Sequence, residues 1–266
     1  MAVKFGVSKV SQIEAFHIKF CKQVLNLNKA TPNCMALGEL GRHKIAKTIE
    51  MRMVSFWLRI INGSERKLSF TIYKLLRSLH DKGIYSSSWI LKIKNILDSS
   101  GMSYIWNDPY DVNITWVKKT LNLRLSDMYE QNWLSEVYEN SQCINYRIFK
   151  SRLVLEKYLL SLSNRDRFSL CRFRCRNTKI PAIAGRFLNI DLNDRLCELC
   201  TSESIGDEFH YLFQCAAFKS DRKHFLKRYY RVGPNTLKMA QLLTTKNKKV
   251  QRKLAAFCSI ISKRFK

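Results

Sequence analysis

Glycine and proline are scarce in this chain. Its 266 residues hold 9 and 4 of them, about 3% and 1.5%, against a usual roughly 7% and 5%. Few sharp turns can be built from so few residues, so long elements, and helices in particular, are favoured. Carboxylates are scarce too. There are 21 Asp and Glu against 47 Lys and Arg, a net charge of +26, and an excess of that size is costly to keep compact without an anionic partner. No apolar stretch of membrane-spanning length occurs, and the opening Met1-Ala-Val-Lys-Phe-Gly-Val-Ser-Lys9 has no apolar signal segment. These absences argue against a membrane partner and predict an intracellular protein, in the nucleus, the cytoplasm or both.

Catalytic patterns are missing as well. Two-metal polymerase and nuclease chemistry needs carboxylates that converge on one site. The chain has no Asp-Asp pair, no HExxH, no P-loop, no GxSxG and no His-Arg-Asp loop. Asp108-Pro-Tyr-Asp111 with Lys118-Lys119 has the rough spacing of a restriction-type nuclease but reads better as a loop between helices. The expectation is a protein with no catalytic residues.

What is present supports a folded helical chain. Hydrophobic residues make up 46% and aromatics 12%, enough for a core. Apolar spacing predicts helices over about 11–26, 43–61, 66–80, 87–97, 113–138 and 154–176, with a break at Thr31-Pro-Asn33 and a turn at Gly38-Glu-Leu-Gly-Arg42. On the first helix Ile13, Phe16, Phe20, Val24 and Leu27 fall near one face; on the second, Ile45, Ile49, Met53 and Trp57 do. The last helix carries Leu254, Phe257, Cys258, Ile261 and Phe265 on one stripe. The expected fold class is mainly α: an irregular helical array with a small module of three cysteines and a histidine near the C-terminus. In chain order it divides into 1–140, an Arg-rich helical segment 141–190, the Cys/His module 191–231 and basic helices 232–266.

Nine cysteines, an odd number set mostly singly in apolar stretches, suit a reducing compartment rather than a disulfide framework. Four ligand types fall close together: Cys197, Cys200, His210 and Cys215, spaced C-x2-C-x9-H-x4-C. Three thiolates and one imidazole fill a tetrahedron and leave no place for catalytic water, so the ion predicted is a single structural Zn2+. A redox CxxC, or buried thiols without metal, are the alternatives. Gly206-Asp207 suits the cap of a helix carrying His210 and Cys215. Asp207 or Glu208 could orient the imidazole, though a solvated helix start is the simpler role for both. Cys171 and Cys175, at i and i+4 with Phe168, read as core rather than further ligands.

Charge is segregated. Residues 1–110 hold 17 basic and 7 acidic side chains, 111–190 hold 14 and 7, 191–215 hold 1 and 6, and 216–266 hold 15 and 1. The Cys/His segment is therefore acidic and should repel phosphate, while its flanks attract it. Candidate nucleic-acid contacts are Arg165, Arg167, Arg172, Arg174 and Arg176 upstream, and Arg222, Lys223, Lys227, Arg228 and Arg231 downstream, the latter accompanied by Tyr229 and Tyr230. Lys246-Asn-Lys248-Lys249 with Arg252-Lys253 has the composition of a nuclear import signal.

The run Arg195-Leu-Cys-Glu-Leu-Cys200, followed by Ile205-Gly-Asp-Glu-Phe-His-Tyr-Leu-Phe-Gln-Cys215-Ala-Ala-Phe218, resembles the zinc-binding segment at the C-terminus of non-LTR (LINE-type) retrotransposon reverse transcriptases. Thr31-Pro-Asn-Cys-Met-Ala-Leu-Gly-Glu-Leu-Gly-Arg42, Arg52-Met-Val-Ser-Phe-Trp57, Ser103-Tyr-Ile-Trp106 and Tyr146-Arg-Ile-Phe-Lys150 are similar to segments that lie after the polymerase there. The resemblance implies that Cys197, Cys200, His210 and Cys215 are the metal ligands. It also implies a region that helps hold template RNA or target DNA after the polymerase thumb, with a polymerase domain supplied by a longer copy as a further partner. Both catalytic domains of such enzymes are absent from this sequence. A different reading is a zinc-braced helical module that docks on a separate polymerase domain through protein contacts.

Overall fold

A computed structural model describes residues 7–110 and 112–265; Asp111 of the nuclease-like spacing lies outside them. The chain is mainly helical, and among the described residues the only β pairing is an isolated antiparallel bridge, Leu196 to Ile205. The helices, in chain order, are α1 (Val7–Val24), α2 (Asn33–Leu40), α3 (Ile45–Ile61), α4 (Leu68–Asp81), α5 (Ser88–Ser99), α6 (Ser103–Asn107), α7 (Ile114–Glu139), α8 (Tyr146–Phe149), α9 (Tyr158–Ser161), α10 (Asn164–Arg174), α11 (Pro181–Ala184), α12 (Lys219–Phe225), α13 (Arg228–Arg231), α14 (Thr236–Leu243) and α15 (Lys248–Arg264). None is long and apolar enough to cross a membrane.

The chain folds as two compact units. One comprises residues 1–17 and 43–132, the other 18–42 and 133–266, and each has its own apolar core. In the first unit α3, α4, α5 and α6 pack on one another around Val54, Trp57, Leu58, Ile90, Ile93 and Ile105, with Val117, Leu121 and Leu125 of α7. Trp57 stacks on Trp106 at 5.9 Å between ring centres, and the Arg77 guanidinium lies 4.0 Å from the Trp106 ring while donating to its carbonyl at 2.9 Å. The buried stripe of α3 is Val54, Trp57, Leu58 and Ile61, one step round from the expected Ile45, Ile49 and Met53, which stay half exposed.

In the second unit α15 packs along α10, and Leu254, Phe257, Cys258, Ile261 and Phe265 are all buried as their spacing predicts. Helix starts are fixed by side chains: Ser163 accepts from the Asp166 amide at 3.3 Å, and Asn247 from the Lys249 and Val250 amides. Ser163 also ends the single helix expected over 154–176, which is split into α9 and α10. Gly38 lies inside α2, and Gly41 forms its left-handed cap (φ +59°). A Cβ on Gly41 would stand 2.2 Å from the Leu155 nitrogen, so this turn requires glycine on both counts. Of the apolar face expected on the first helix, Leu27 is buried just beyond α1, but Phe16 is 72% and Phe20 53% exposed and Ile13 and Val24 are exposed too, while Cys21 and Leu25 turn inward.

A buried ionic group holds this unit together. Arg174, whose side chain is fully inaccessible, donates from Nε and Nη2 to the two carboxylate oxygens of Glu39, each at 3.0 Å, and pairs with Glu156 at 3.3 Å. Lys150 closes the group through Glu156, and the Tyr158 hydroxyl donates to Glu39. Two cations thus face two carboxylates, which is what burial of charge demands.

Candidate metal centre

The Cys/His segment begins as a tight hairpin. The Cys197 amide donates to Ser204 O at 2.8 Å and the Gly206 amide to Arg195 O at 2.9 Å, flanking the Leu196–Ile205 bridge. Inside the turn the Leu199 amide points at Cys197 Sγ, 3.4 Å away, so Cys197 and Cys200 present their sulfurs to one side. The Gly206 carbonyl accepts from the Ala182 amide at 3.1 Å, tying the hairpin to α11. A Cβ on Gly206 would meet the Tyr211 hydroxyl at 2.6 Å and Pro181 Cγ at 3.0 Å; the close approach leaves room only for glycine.

Asp207 caps the turn after the hairpin, its Oδ1 accepting from the His210 amide at 2.8 Å, as the sequence predicts. The capped turn is not α-helical. Residues His210–Gln214 form a single π turn, with the Cys215 amide bonded to His210 O at 2.8 Å. Positions five apart on an α-helix are about 140° round from one another; the wider turn brings His210 and Cys215 toward a common side. Arg222 of α12 holds this turn by donating to the carbonyls of Tyr211 (3.2 Å) and Cys215.

The result is a cluster in which one ligand atom from each of Cys197, Cys200, His210 and Cys215 lies within 4.8 Å of the others. Cys197 Sγ and Cys215 Sγ are 3.8 Å apart, and Cys200 Sγ is 3.4 Å from His210 Nε2. The group can hold a metal ion. Hydrogen bonding to Ser202 pulls the Cys200 thiol down to about 6, whereas burial pushes Cys215 up to about 12. His210 turns Nε2 toward the sulfurs, and its buried Nδ1 has no hydrogen-bond partner among the described residues. Neither Asp207 nor Glu208 orients the imidazole. Asp207 serves the backbone cap, and Glu208 is no solvated helix-start residue: it is buried, accepting from Asn145 Nδ2 at 2.5 Å and pairing with Arg176 at 3.2 Å. Burial raises the Glu208 carboxyl above its usual range, against the pull of Arg176.

Glu39, Cys171 and Cys175 form a second group of potential ligand atoms within 4.8 Å. The Glu39 carboxylate is already shared between Arg174 and Tyr158, and burial raises the Cys175 thiol well above its ordinary value. Core packing, the role their spacing predicts, fits these two cysteines.

The ten candidate nucleic-acid contacts divide sharply. Arg174 and Arg222 are buried and consumed by Glu39 and by backbone carbonyls, so neither is placed to meet a phosphate. Arg176 is largely committed to Glu208. Arg172 donates to Asn26 O at 3.0 Å, Arg167 to Leu159 O at 3.3 Å and Arg231 to Leu226 O at 3.1 Å. Arg165, Lys223, Lys227 and Arg228 are exposed. The sequence missed the support around the cluster, namely Asn145, Arg176 with Glu208, and Arg222. The one available signal was the rarity of carboxylates, which makes each buried acid a place to seek a buried cation. Comparison with known protein families, with curated proteins and with solved structures finds no match to this chain.

Proposed function

We propose that the chain is a non-catalytic, zinc-stabilised nucleic-acid-binding module, of the kind found after the polymerase in non-LTR retrotransposon reverse transcriptases. Geometry supports zinc. With Zn–S near 2.3 Å and Zn–N near 2.0 Å, tetrahedral donors stand about 3.8 Å apart for two sulfurs and about 3.5 Å for sulfur and nitrogen. The two separations in the cluster are 3.8 and 3.4 Å. All four positions are filled by protein, so the ion braces structure: it locks the 197–206 hairpin to the turn carrying His210 and Cys215.

The observation that carries nucleic-acid binding is the uncompensated basic surface after the cluster. Lys223, Lys227, Arg228, Lys248, Lys249 and Arg252 are exposed with no ion-pair partner among the described residues, and Asp221 is the sole carboxylate from 216 to 266. Such a face gains its affinity from counterion release. Anisotropy titrations of labelled single-stranded RNA and duplex DNA test this: the expected result is binding at low salt whose affinity falls steeply and log-linearly with salt. No binding at low salt overturns it.

A second reading, a module that docks on a separate polymerase domain, is favoured by the exposed Ile13, Phe16, Phe20 and Val24 of α1, a contiguous apolar stripe of the sort that marks protein contact. Its outcome in the same experiment differs: tight association with a polymerase domain supplied in trans, and none with oligonucleotides.

A further inference from the structure

Two thiols outside the metal centre are placed as a pair. Cys34 is the second residue of α2, and Cys143 ends the 3-10 turn Ser141–Cys143. Their Sγ atoms lie 3.6 Å apart and share a hydrogen across 109 residues of sequence, and both side chains are buried. We propose that Cys34 and Cys143 form a reversible oxidation site, a dithiol that hydrogen peroxide converts to a disulfide.

Distance is the first argument. A disulfide holds its sulfurs about 2.0 Å apart, so the pair must close by about 1.5 Å, a change on the scale of side-chain rotation. Polarity is the second. Cys34 sits in the first turn of a helix, where free amides and the helix dipole favour an anion, and Lys22 is close enough for its charge and that of Cys34 to influence each other. The hydrogen bond from Cys143 holds the Cys34 thiol below its ordinary value against the opposing effect of burial, and the same bond raises Cys143. One sulfur is thus suited to attack and the other to resolve. Chain topology is the third. Residues 43–132 belong to one compact unit, and both cysteines lie in the other, one shortly before that segment and one shortly after it. A bond between them closes the chain around the whole inserted segment.

The chemistry balances with peroxide as the oxidant. The Cys34 thiolate attacks one peroxide oxygen, the O–O bond breaks, and the departing hydroxide takes a proton to leave as water; Cys34 becomes a sulfenic acid. Cys143 then gives up its proton and attacks that sulfur, forming the S–S bond as the S–O bond breaks and a second water leaves. Two thiols have lost two electrons and one peroxide has become two waters. A thiol reductant reverses the step.

The experiment uses the full chain with equimolar zinc, treated with dilute hydrogen peroxide, alkylated under denaturing conditions and digested without reduction. The expected product is a cross-linked peptide pair containing Cys34 and Cys143, roughly tenfold more abundant than any other pair, absent after dithiothreitol, and accompanied by a melting temperature higher by roughly 5 °C. Cys143→Ser should abolish the cross-link and leave a sulfenic acid on Cys34 that dimedone labels, whereas Cys258→Ser should leave the cross-link intact. The proposal is overturned if Cys34 and Cys143 both remain alkylatable while Cys197 and Cys215 become linked, or if Cys34 is over-oxidised with no linked peptide. The wild-type map decides even if a serine variant does not fold.

Discussion

The unit containing residues 43–132 is filled with aromatic and branched aliphatic side chains, and among the described residues Ser100 is its one buried polar residue. The unit containing residues 133–266 buries Glu39, Lys150, Arg174, Glu208, His210 and Arg222 among its apolar side chains. The first needs only shape: Trp57 stacks on Trp106, and deletion of either leaves a cavity. The second needs partners, because a buried charge without its counterpart costs far more than a lost contact. Its stability is therefore conditional on complete networks, and on the proposed reading the cluster of Cys197, Cys200, His210 and Cys215, which can hold a metal ion, is the extreme case.

Substitution and, on the proposed zinc reading, metal removal should act differently on the two units. Chelation should have the largest effect, since zinc binding in small Cys/His modules is worth roughly 10–16 kcal/mol. The melt of the 133–266 unit should collapse while that of the 43–132 unit holds, which hydrogen exchange resolved by peptide would show; Cys197→Ser should do the same without chelator. Next comes Arg174→Met, which leaves the buried Glu39 without its cation while Glu156 keeps Lys150, and should cost about 3–5 kcal/mol in a urea melt. Adding Glu39→Gln to it should recover part of that loss, and no recovery would mean that the network is not the cause. Trp57→Ala should cost a similar 3–5 kcal/mol by cavity formation, but confined to the other unit. Gly206→Ala should cost about 1–3 kcal/mol from overpacking against Tyr211 and Pro181 and weaken zinc retention. Smallest in stability is Lys248→Gln with Lys249→Gln and Arg252→Gln, within about 0.5 kcal/mol of the parent, yet this variant should lower the slope of log affinity against log salt by nearly three.

Much of this was legible from residue spacing. The clustering of Cys197, Cys200, His210 and Cys215, the Asp207 cap, the core role of Cys171 and Cys175 and the buried stripe of α15 all arise from local pattern, which sequence carries directly. The illegible part depended on which face a helix turns toward its neighbours. On α1 the apolar stripe of Ile13, Phe16, Phe20 and Val24 had the spacing of a core face, but Cys21 and Leu25 are the residues turned inward. Arg174 was one of five arginines on an Arg-rich segment, and only its approach to Glu39, 135 residues away, makes it structural. The same holds for Glu208: nothing local distinguishes a capping carboxylate from a buried one until Asn145 and Arg176 arrive from elsewhere. The π turn at His210–Gln214 was hidden for a different reason, because a five-residue spacing of ligands does not state which helix type will reconcile it.

The decisive measurement for the Cys/His cluster is X-ray absorption at the zinc edge, on chain purified without added metal and analysed for metal content. The expected result is about one zinc per chain, with three sulfurs at about 2.3 Å and one nitrogen at about 2.0 Å, and loss of the nitrogen shell in His210→Ala. A chain free of stoichiometric metal, or a zinc shell built of oxygens, would contradict it.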